Sequence, residues 1–388
     1  MKFNFLLALF SYHTKILTEK YLYSKELESI KKSNRFRTRE LFDDNLVDLA
    51  SNDYLGLSTN KTLFQNAYEN ILKEKYHSPK ASMLVNGYSK IHKKFEDRLC
   101  EVNGFEAGVI VGSGFLANIS MIEALCRKND TLFIDEEYHA SGILATKLLR
   151  PEQVIIFNHN DFKDLEKKIS SNQRTGRNII AIEGVYSMGG DLAPIELFHL
   201  ADEYKAIFIV DEAHSSGVIG DNLLGIFDYY KIVPNKYHIK MGTLGKAYGS
   251  YGAYILASKE IIDFLTNRAK PIIYSTAPSL FDIALGYESL KHILENKKEL
   301  KEKIKENLNI IYSELGIKSQ SLIIPILIKD NKKVKEIQEI LKQNGFLVGA
   351  IRQPTVKEAI IRLIAKIDIN SDILRNVCRL LKDLSVNK

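Results

Sequence analysis

The chain has 388 residues, 45% of them hydrophobic and 26% charged, with 22 glycines, 8 prolines and no tryptophan. That length and apolar content support two compact domains with cores of their own and exclude a disordered or low-complexity protein. The net charge is +6, but the lysines are spread along the whole chain, the pattern of a solvated surface rather than of a nucleic-acid-binding face.

Residues 1–50 read as a helical arm followed by a basic loop, with Leu17, Tyr21, Leu27 and Ile30 as the apolar positions of the arm. The run 3–10 is mostly apolar. No small-x-small cleavage pattern follows it, so it reads as a helix packing on the body or on a partner subunit, not as an export signal. No stretch reaches the length of a membrane span. The densest basic cluster, Lys31-Lys32-Ser33-Asn34-Arg35-Phe36-Arg37-Thr38-Arg39, suits the phosphates or carboxylates of an acidic substrate, or an acidic carrier protein. The turn-rich stretch 51–56 then opens the larger domain.

From about residue 108 to 257 short apolar runs alternate with helical segments, which predicts α/β architecture with a mostly parallel central sheet flanked by helices. Strands are expected over 108–111, 131–134, 154–157, 179–182, 206–210, 239–242 and 253–256. Asp161 is placed to cap a helix carrying Phe162, Leu165 and Ile169, and Pro194 suits the first turn of one carrying Leu197, Leu200 and Tyr204. A long helix over 280–315 shows the stripe Leu300, Ile304, Leu308, Ile311 and Leu315 opposite a Lys/Glu face. The domain boundary is expected in this region. Beyond it come a strand over 322–328, a helix with Val334, Ile337 and Leu341, strands over 346–351 and around 362–365, and a helix capped by Ser371. The expected division is an arm over 1–50, a large domain over 51–285 and a smaller C-terminal α+β domain over 286–388. Cys100, Cys126 and Cys378 are widely separated and match no metal spacing, so no metal is expected, and a reducing cytoplasmic setting fits them.

The residues able to do chemistry concentrate between 206 and 246. The apolar run 206–210 ends in Asp211, as a buried parallel strand does where it opens into a site. His214 follows, and Ser215, Ser216 and Gly217 give a polar turn where a ligand can approach backbone. Met241-Gly242-Thr243-Leu244-Gly245-Lys246 then sets one lysine among small residues after another strand. An acid, an imidazole, hydroxyls and a lone lysine at neighbouring strand ends can hold pyridoxal phosphate, whose aldehyde needs a lysine and whose ring nitrogen needs an acid. Gly112-Ser113-Gly114-Phe115 follows a strand and opens a helix, a place for a phosphate on backbone N–H groups. Each signal is weak alone; their order and spacing carry the argument.

Along the chain stand LASNDYLGL, GSGFLAN, DEEYHASG, EGVYSMGGDLAPI, DEAHSSGVIG, TLGKAYG, IIYSTAPS and AIRQPTV. Through them the chain, from about Asp48 to Asn370, resembles the α-oxoamine synthases, a family of fold-type I pyridoxal-phosphate-dependent transferases. The resemblance implies that Gly114 and Phe115 contact the cofactor phosphate through backbone and Thr243 through its hydroxyl. It implies that His139 stacks on the pyridine face, Asp211 meets the ring nitrogen, and His214 and Ser187 lie near the ring hydroxyl. Lys246 matches the Schiff-base residue and the base for the Cα proton, completing a catalytic set with His139, Asp211 and His214. Ser275 or Thr276 matches a contact to the phosphate of the neighbouring subunit, which implies a homodimer with shared active sites.

Substrate recognition is implied at Asn52, at Arg352 and Thr355 of AIRQPTV, at Arg362 and, toward the acyl-chain end, at Arg37. Family members commonly carry Arg-x-Arg on the late strand, whereas Ile360 and Ile364 flank a single arginine here. Arg362 aligns with the carboxylate-binding arginine if the loop after Pro354-Thr355-Val356 has its usual length; otherwise that role is vacant. Gly189 stands where an acid is common. The reaction implied is a decarboxylative condensation of an amino acid with an acyl thioester. SNDYLGL and AIRQPTV are closest to the branch that joins L-alanine to a pimeloyl thioester, on CoA or an acyl carrier protein, in biotin synthesis. Glycine- and serine-using branches are the alternatives within the family, and a non-catalytic partner subunit is the alternative outside enzymes. Retention of Lys246, Asp211, His139 and His214 together speaks against the last.

Overall fold

A computed structural model describes residues 22–386 of the chain. The run 3–10, Leu17 and Tyr21 lie outside those residues. Seven strands form the central sheet: β2 (Ala107–Val111), β3 (Thr131–Asp135), β4 (Val154–Phe157), β5 (Asn178–Glu183), β6 (Ile207–Asp211), β7 (His238–Thr243) and β8 (Ala253–Ala257). Their spatial order is β2-β8-β7-β6-β5-β3-β4. β8 runs antiparallel to both neighbours, and the pairs β7/β6, β6/β5, β5/β3 and β3/β4 are parallel.

Both faces of this sheet are covered, and the period of two along each strand decides what each face receives. Ile179, Ala181, Ile207, Ile209, Ile239 and Met241 pack toward the helix Gly114–Leu125, through Ala117, Met121 and Leu125. Ile180, Ile182, Phe208 and Val210 point the other way, to Leu165, Leu197, Phe198 and the long helix Leu280–Leu315. The strands are therefore apolar at consecutive positions, except β7, where buried Lys240 stands between Ile239 and Met241. The same alternation fixes the direction of the residues that end the strands: Glu183, Asp211 and Thr243 continue the series that faces the helix Gly114–Leu125. The order also reverses between β3 and β5, which opens a crevice at the carboxyl ends of the strands.

The smaller sheet is antiparallel, ordered β11 (Gly349–Ile351), β12 (Ala359–Ile364), β9 (Ile323–Lys329). The helices Asn331–Gln343 and Ser371–Val386 follow its strands. Where one strand was expected over 346–351 there are two. β10 (Phe346–Leu347) pairs in parallel with β1 (Val47–Asp48), and β11 pairs with β12, so the chain divides at buried Val348 to serve two sheets. Through β1 the segment after the arm is stitched to the C-terminal domain, with Ile364 N donating to Leu49 O at 2.9 Å. That stitching leads Asn52 and Tyr54 into the crevice.

The helix Leu280–Leu315 runs over the expected range, with Leu300, Ile304 and Ile311 buried. The expected boundary at 285/286 falls inside it. Asp161 caps its helix by accepting from Lys163 N and Asp164 N. Pro194 stands one residue earlier than expected, at the N-cap of Ile195–Glu203. The arm helix Ser24–Lys32 buries none of its residues. Leu27 and Ile30 instead line a cleft against the small domain. Among the described residues no helix is long and apolar enough to cross a membrane.

Candidate active site

The crevice gathers side chains from seven places in the chain. Asp211, at the end of β6 and 4% exposed, accepts from Asn118 Nδ2 at 2.9 Å and from Ala213 N at 3.0 Å. Asn118 lies one turn into the helix Gly114–Leu125; its other bonds run to Ser141 Oγ at 2.9 Å and, from its carbonyl, to the Tyr138 hydroxyl at 2.7 Å. Ser141 Oγ in turn lies 2.7 Å from His139 Nδ1. His139, which caps the helix Ala140–Thr146, is thereby tied to Asp211 through two side chains. Partial burial lowers the His139 pKa, aided by the Lys246 charge and opposed by Asp211.

Lys246 follows β7. Its Nζ lies 2.7 Å from His214 Nε2, and His214 Nδ1 lies 2.5 Å from the Tyr54 hydroxyl. Burial lowers the ammonium of Lys246 to about 8, with the Asp211 and Glu183 side chains opposing that shift. Burial also drives the His214 imidazole well below its ordinary value, and Lys246 and Arg362 push the same way. A neutral His214 facing an ammonium must present a bare Nε2 and carry its proton on Nδ1. It then donates to Tyr54, whose phenol is pushed up to about 12 by burial and stays un-ionised.

From Tyr54 the chain of bonds continues. The hydroxyl donates to Asn52 Oδ1 at 3.3 Å; the same oxygen accepts from Arg362 Nη2 at 2.9 Å, and Arg362 Nε donates to Ser187 O at 2.8 Å. Ser187 N donates to Glu183 Oε2 at 3.1 Å. One network thus joins Lys246, His214, Tyr54, Asn52, Arg362, Ser187 and Glu183. Arg362 is 5% exposed and sits on β12, the middle strand of the small sheet.

Local backbone explains why the DEAHSSG loop can lie so close. Gly217 has φ +88°, and a Cβ there would stand 2.5 Å from Ala247 Cβ, beside Lys246. Only glycine permits both the conformation and the approach. At the start of the helix Gly114–Leu125, Gly114 and Phe115 supply the first N–H groups, those a helix leaves without an internal partner, and a Cβ on Gly114 would lie 3.9 Å from Thr243 Cβ. The Thr243 hydroxyl donates to Gly252 O at 3.0 Å.

The remaining expected residues lie apart from Lys246. Arg37 Nη2 donates to Thr355 Oγ1 at 3.3 Å, and Arg352 Nη1 to Asn34 O at 3.0 Å. They border the cleft of about 610 Å³ between arm and small domain, together with Arg35, Phe36 and Ile351. Of the two late arginines, Arg362 enters the Lys246 network and Arg352 does not. Thr276 bridges to Ser82, and Ala277 N donates to Ala81 O; the described contacts of this segment are with residues 81–82, not with Lys246. Tyr54, Asn118, Ser141 and Glu183 join these networks and drew no expectation, although all four stand inside the motifs SNDYLGL, GSGFLAN, DEEYHASG and EGVYSM.

A model of the family described as aminotransferase class I and II matches residues 44–380. The chain is 48% identical over 343 residues to the 8-amino-7-oxononanoate synthase of Helicobacter pylori, covering 88% of this chain and 92% of that one. The chain belongs to the α-oxoamine synthases of this family. It is 34% identical over 366 residues to the 8-amino-7-oxononanoate synthase of Geotalea daltonii, covering 88% and 91%. The solved 8-amino-7-oxononanoate synthase of Francisella tularensis matches with TM-score 0.71 at 26% identity, over 88% of this chain and 98% of that one. A serine palmitoyltransferase from S. paucimobilis matches with TM-score 0.84, over 94% and 98%; at 19% identity it shows the shared fold alone. The protein is a pyridoxal-phosphate-dependent acyltransferase. The residues present fit that cofactor: an amine lowered to about 8, a buried carboxylate beside it, free first-turn N–H groups, and a buried Glu183 Oε1 with no partner.

Proposed function

We propose that this enzyme condenses L-alanine with a pimeloyl thioester, carried on CoA or on an acyl carrier protein, to give 8-amino-7-oxononanoate, carbon dioxide and the free thiol in biotin biosynthesis. The observation that carries the reading is the single network from Lys246 to Arg362, which links the residue for the cofactor aldehyde to the residue for the substrate carboxylate. The name 8-amino-7-oxononanoate synthase on a relative 48% identical supports this branch over the glycine- and serine-using ones.

Each side chain then has a task. Bound pyridoxal phosphate supplies an electron sink for the pair released at Cα. Asp211 keeps the ring nitrogen protonated, and the Asn118 and Ala213 donors hold the carboxylate in place. His139 covers the ring face, with His214 and Ser187 toward the ring hydroxyl. Gly114, Phe115 and Thr243 hold the phosphate. Arg362, oriented by Asn52, grips the amino-acid carboxylate with its planar fork. Lys246 receives the Cα proton on Nζ, and neutral His214 accepts a hydrogen bond from the resulting ammonium. The cleft bordered by Arg35, Arg37, Arg352 and Thr355 carries guanidinium groups among apolar side chains, which suits an acyl donor with a carboxylate at its far end; an acetyl or palmitoyl chain has none.

The enzyme acts as a homodimer in this reading. Leu84, Val85, Phe115 and Tyr274 are 49%, 76%, 44% and 78% exposed in the single chain, and Ser275 and Thr276 stand beside that surface to reach the neighbouring phosphate. The three cysteines are free, which suits the cytoplasm.

The test is a titration of the visible absorption of the holoenzyme with glycine, L-alanine and L-serine, followed by pimeloyl thioester and mass spectrometry of the product. L-alanine is expected to perturb the spectrum at the lowest concentration and to yield the C9 amino-keto acid. Preference for glycine or serine, or no product from the pimeloyl donor, would overturn the assignment.

A further inference from the structure

Glu183 and Asp211 are register partners at the ends of the adjacent parallel strands β5 and β6. Register partners on parallel strands point to the same face, so the sheet delivers two carboxyl groups side by side beneath the crevice. Both are buried, Glu183 at 1% and Asp211 at 4% exposure. Their surroundings differ. Asp211 receives a donor on each oxygen, Asn118 Nδ2 and Ala213 N. Glu183 receives Ser187 N on Oε2, the His139 backbone N–H also acts on its carboxyl group, and its Oε1 is buried without a hydrogen-bond partner.

Two neighbouring buried carboxyl groups do not both ionise, and the proton settles on the one that has an oxygen left without a hydrogen-bond donor. A carboxylate oxygen with no donor is also costly to bury, whereas a carboxylic acid O–H that gains an acceptor is not. The charged and titratable groups that act on Glu183 are Asp211 and Lys246, and it acts in turn on Tyr54, Tyr138 and Tyr186. Burial and Asp211 raise its pKa well above the ordinary value, outweighing Lys246 and the backbone donors.

We propose that Glu183 works as an un-ionised carboxylic acid whose free oxygen carries the hydrogen-bond donor for the cofactor and substrate assembled at Lys246. Asp211 and Glu183 thus divide two roles between two like side chains: the first supplies negative charge, the second a neutral donor. The division follows from the donors each strand end receives. Neither role needs the other carboxyl group to move. This inference rests on the cofactor site being the one around Lys246.

Glutamine keeps a neutral donor in the same place and alanine does not, so Glu183→Gln and Glu183→Ala separate the proposed role from an ionic one. The readout is the affinity of the apo-protein for pyridoxal phosphate and the position of its visible band. Glu183→Gln is expected to stay within about threefold of the native affinity with an unchanged band, and Glu183→Ala to bind about tenfold or more weakly with a shifted band. Equal losses in both variants would overturn the proposal, because they would mark Glu183 as an anion. An infrared difference spectrum of native minus Glu183→Gln holoenzyme near neutral pH needs only that the isosteric variant fold. It is expected to carry the carbonyl band of an un-ionised carboxylic acid; carboxylate bands in its place would overturn the proposal. A native protein with no cofactor band at all would instead refute the cofactor site itself.

Discussion

Lys246 Nζ stands 2.7 Å from His214 Nε2, a distance that makes the imidazole a direct acceptor for the lysine. His214 is held from behind by Tyr54, so the acceptor cannot swing away without breaking a second buried bond. The pair supports the two roles proposed for Lys246, holding an aldehyde and handling a proton. The burial that lowers its ammonium makes the free amine accessible near neutral pH, and the neutral ring beside it stabilises the ammonium whenever a proton arrives.

A pH dependence of cofactor capture follows. Only the amine attacks an aldehyde, and Lys246 carries an ammonium lowered from 10.5 to about 8. Covalent capture of pyridoxal phosphate by the apo-protein should therefore accelerate about tenfold per pH unit below about 8 and level off above it. Stopped-flow absorbance across that range checks it; a profile still rising toward 10.5 would contradict the lowered value. The linkage has the same sign. Between about 8 and 10.5 the unfolded chain binds a proton that the folded chain does not, so this residue's contribution to stability rises with pH across that window.

Arg362 spans two acceptors, Ser187 O through Nε and Asn52 Oδ1 through Nη2. A lysine has one point charge and cannot make both bonds while facing a substrate. Arg362→Lys should raise KM for the amino acid by about 10- to 100-fold and lower stability by about 1–3 kcal/mol. Arg352→Lys is the control. Its guanidinium bonds Asn34 O on the far cleft, so amino-acid KM should not change. The two measurements exchanged would reverse the assignment of the late arginines.

What the sequence made legible divides along physical lines. Most strands of the large sheet announced themselves because burial on both faces leaves short, unbroken apolar runs such as Ile207 to Val210, and the ends of β6 and β7 carried Asp211 and Thr243 in plain view. Residues acting through a bond to another residue did not. Tyr54 and Asn118 read as ordinary members of their motifs until the fold set them against His214 and Asp211. Glu183 was within reach: continuing the alternation of Ile179 and Ala181 by one step places it on the face of Asp211. The split of 346–351 into β10 and β11 was not, since it depends on β1 arriving from some 300 residues away in the chain to pair with Phe346 and Leu347. The apolar positions of the arm were visible, but nothing local could say that Leu27 and Ile30 would face a cleft rather than a core.

The loop that carries His214 rests on a buried ion pair. Lys240 Nζ lies 3.4 Å from Glu212 Oε1, with the two side chains 1% and 0% exposed. Glu212 also accepts from Ile226 N at 2.6 Å and from the Ser215 hydroxyl, while Lys240 donates to Leu224 O. Gly225, at φ +102°, leaves the room: a Cβ there would lie 1.8 Å from Glu212 Oε2. Glu212→Gln strands the ammonium in the core and should cost about 3–5 kcal/mol. Lys240→Met added to it should restore part of that loss, because no buried charge is then left unpaired. Urea denaturation of the two variants checks the order; a double variant less stable than the single one would contradict the pairing.

A second charged cluster ties down the strand connection that carries Ser187. His159 Nδ1 lies 3.0 Å from Asp135 Oδ1 at the end of β3, and its Nε2 lies 2.8 Å from Asp191 Oδ2. Burial lowers the imidazole pKa, but the Asp135 and Asp191 carboxylates outweigh it and raise the value to about 10 from 6.5. Asp135 is fully buried whereas Asp191 is 43% exposed, so solvent screens the second partner and the net contribution is of order 1–2 kcal/mol. The folded value lies above the unfolded one. The stabilisation is therefore complete below about 6.5 and is lost as pH rises through about 10. His159→Gln keeps a donor for one acid and removes the titration. The stability difference between native protein and variant should be largest near pH 6 and shrink steadily to pH 10, as read from urea midpoints at each pH. A difference that stays constant over that range would mean the imidazole is neutral between its two carboxylates, and the Asp191 segment would then be held by Asn160, whose Nδ2 donates to the same oxygen at 2.7 Å.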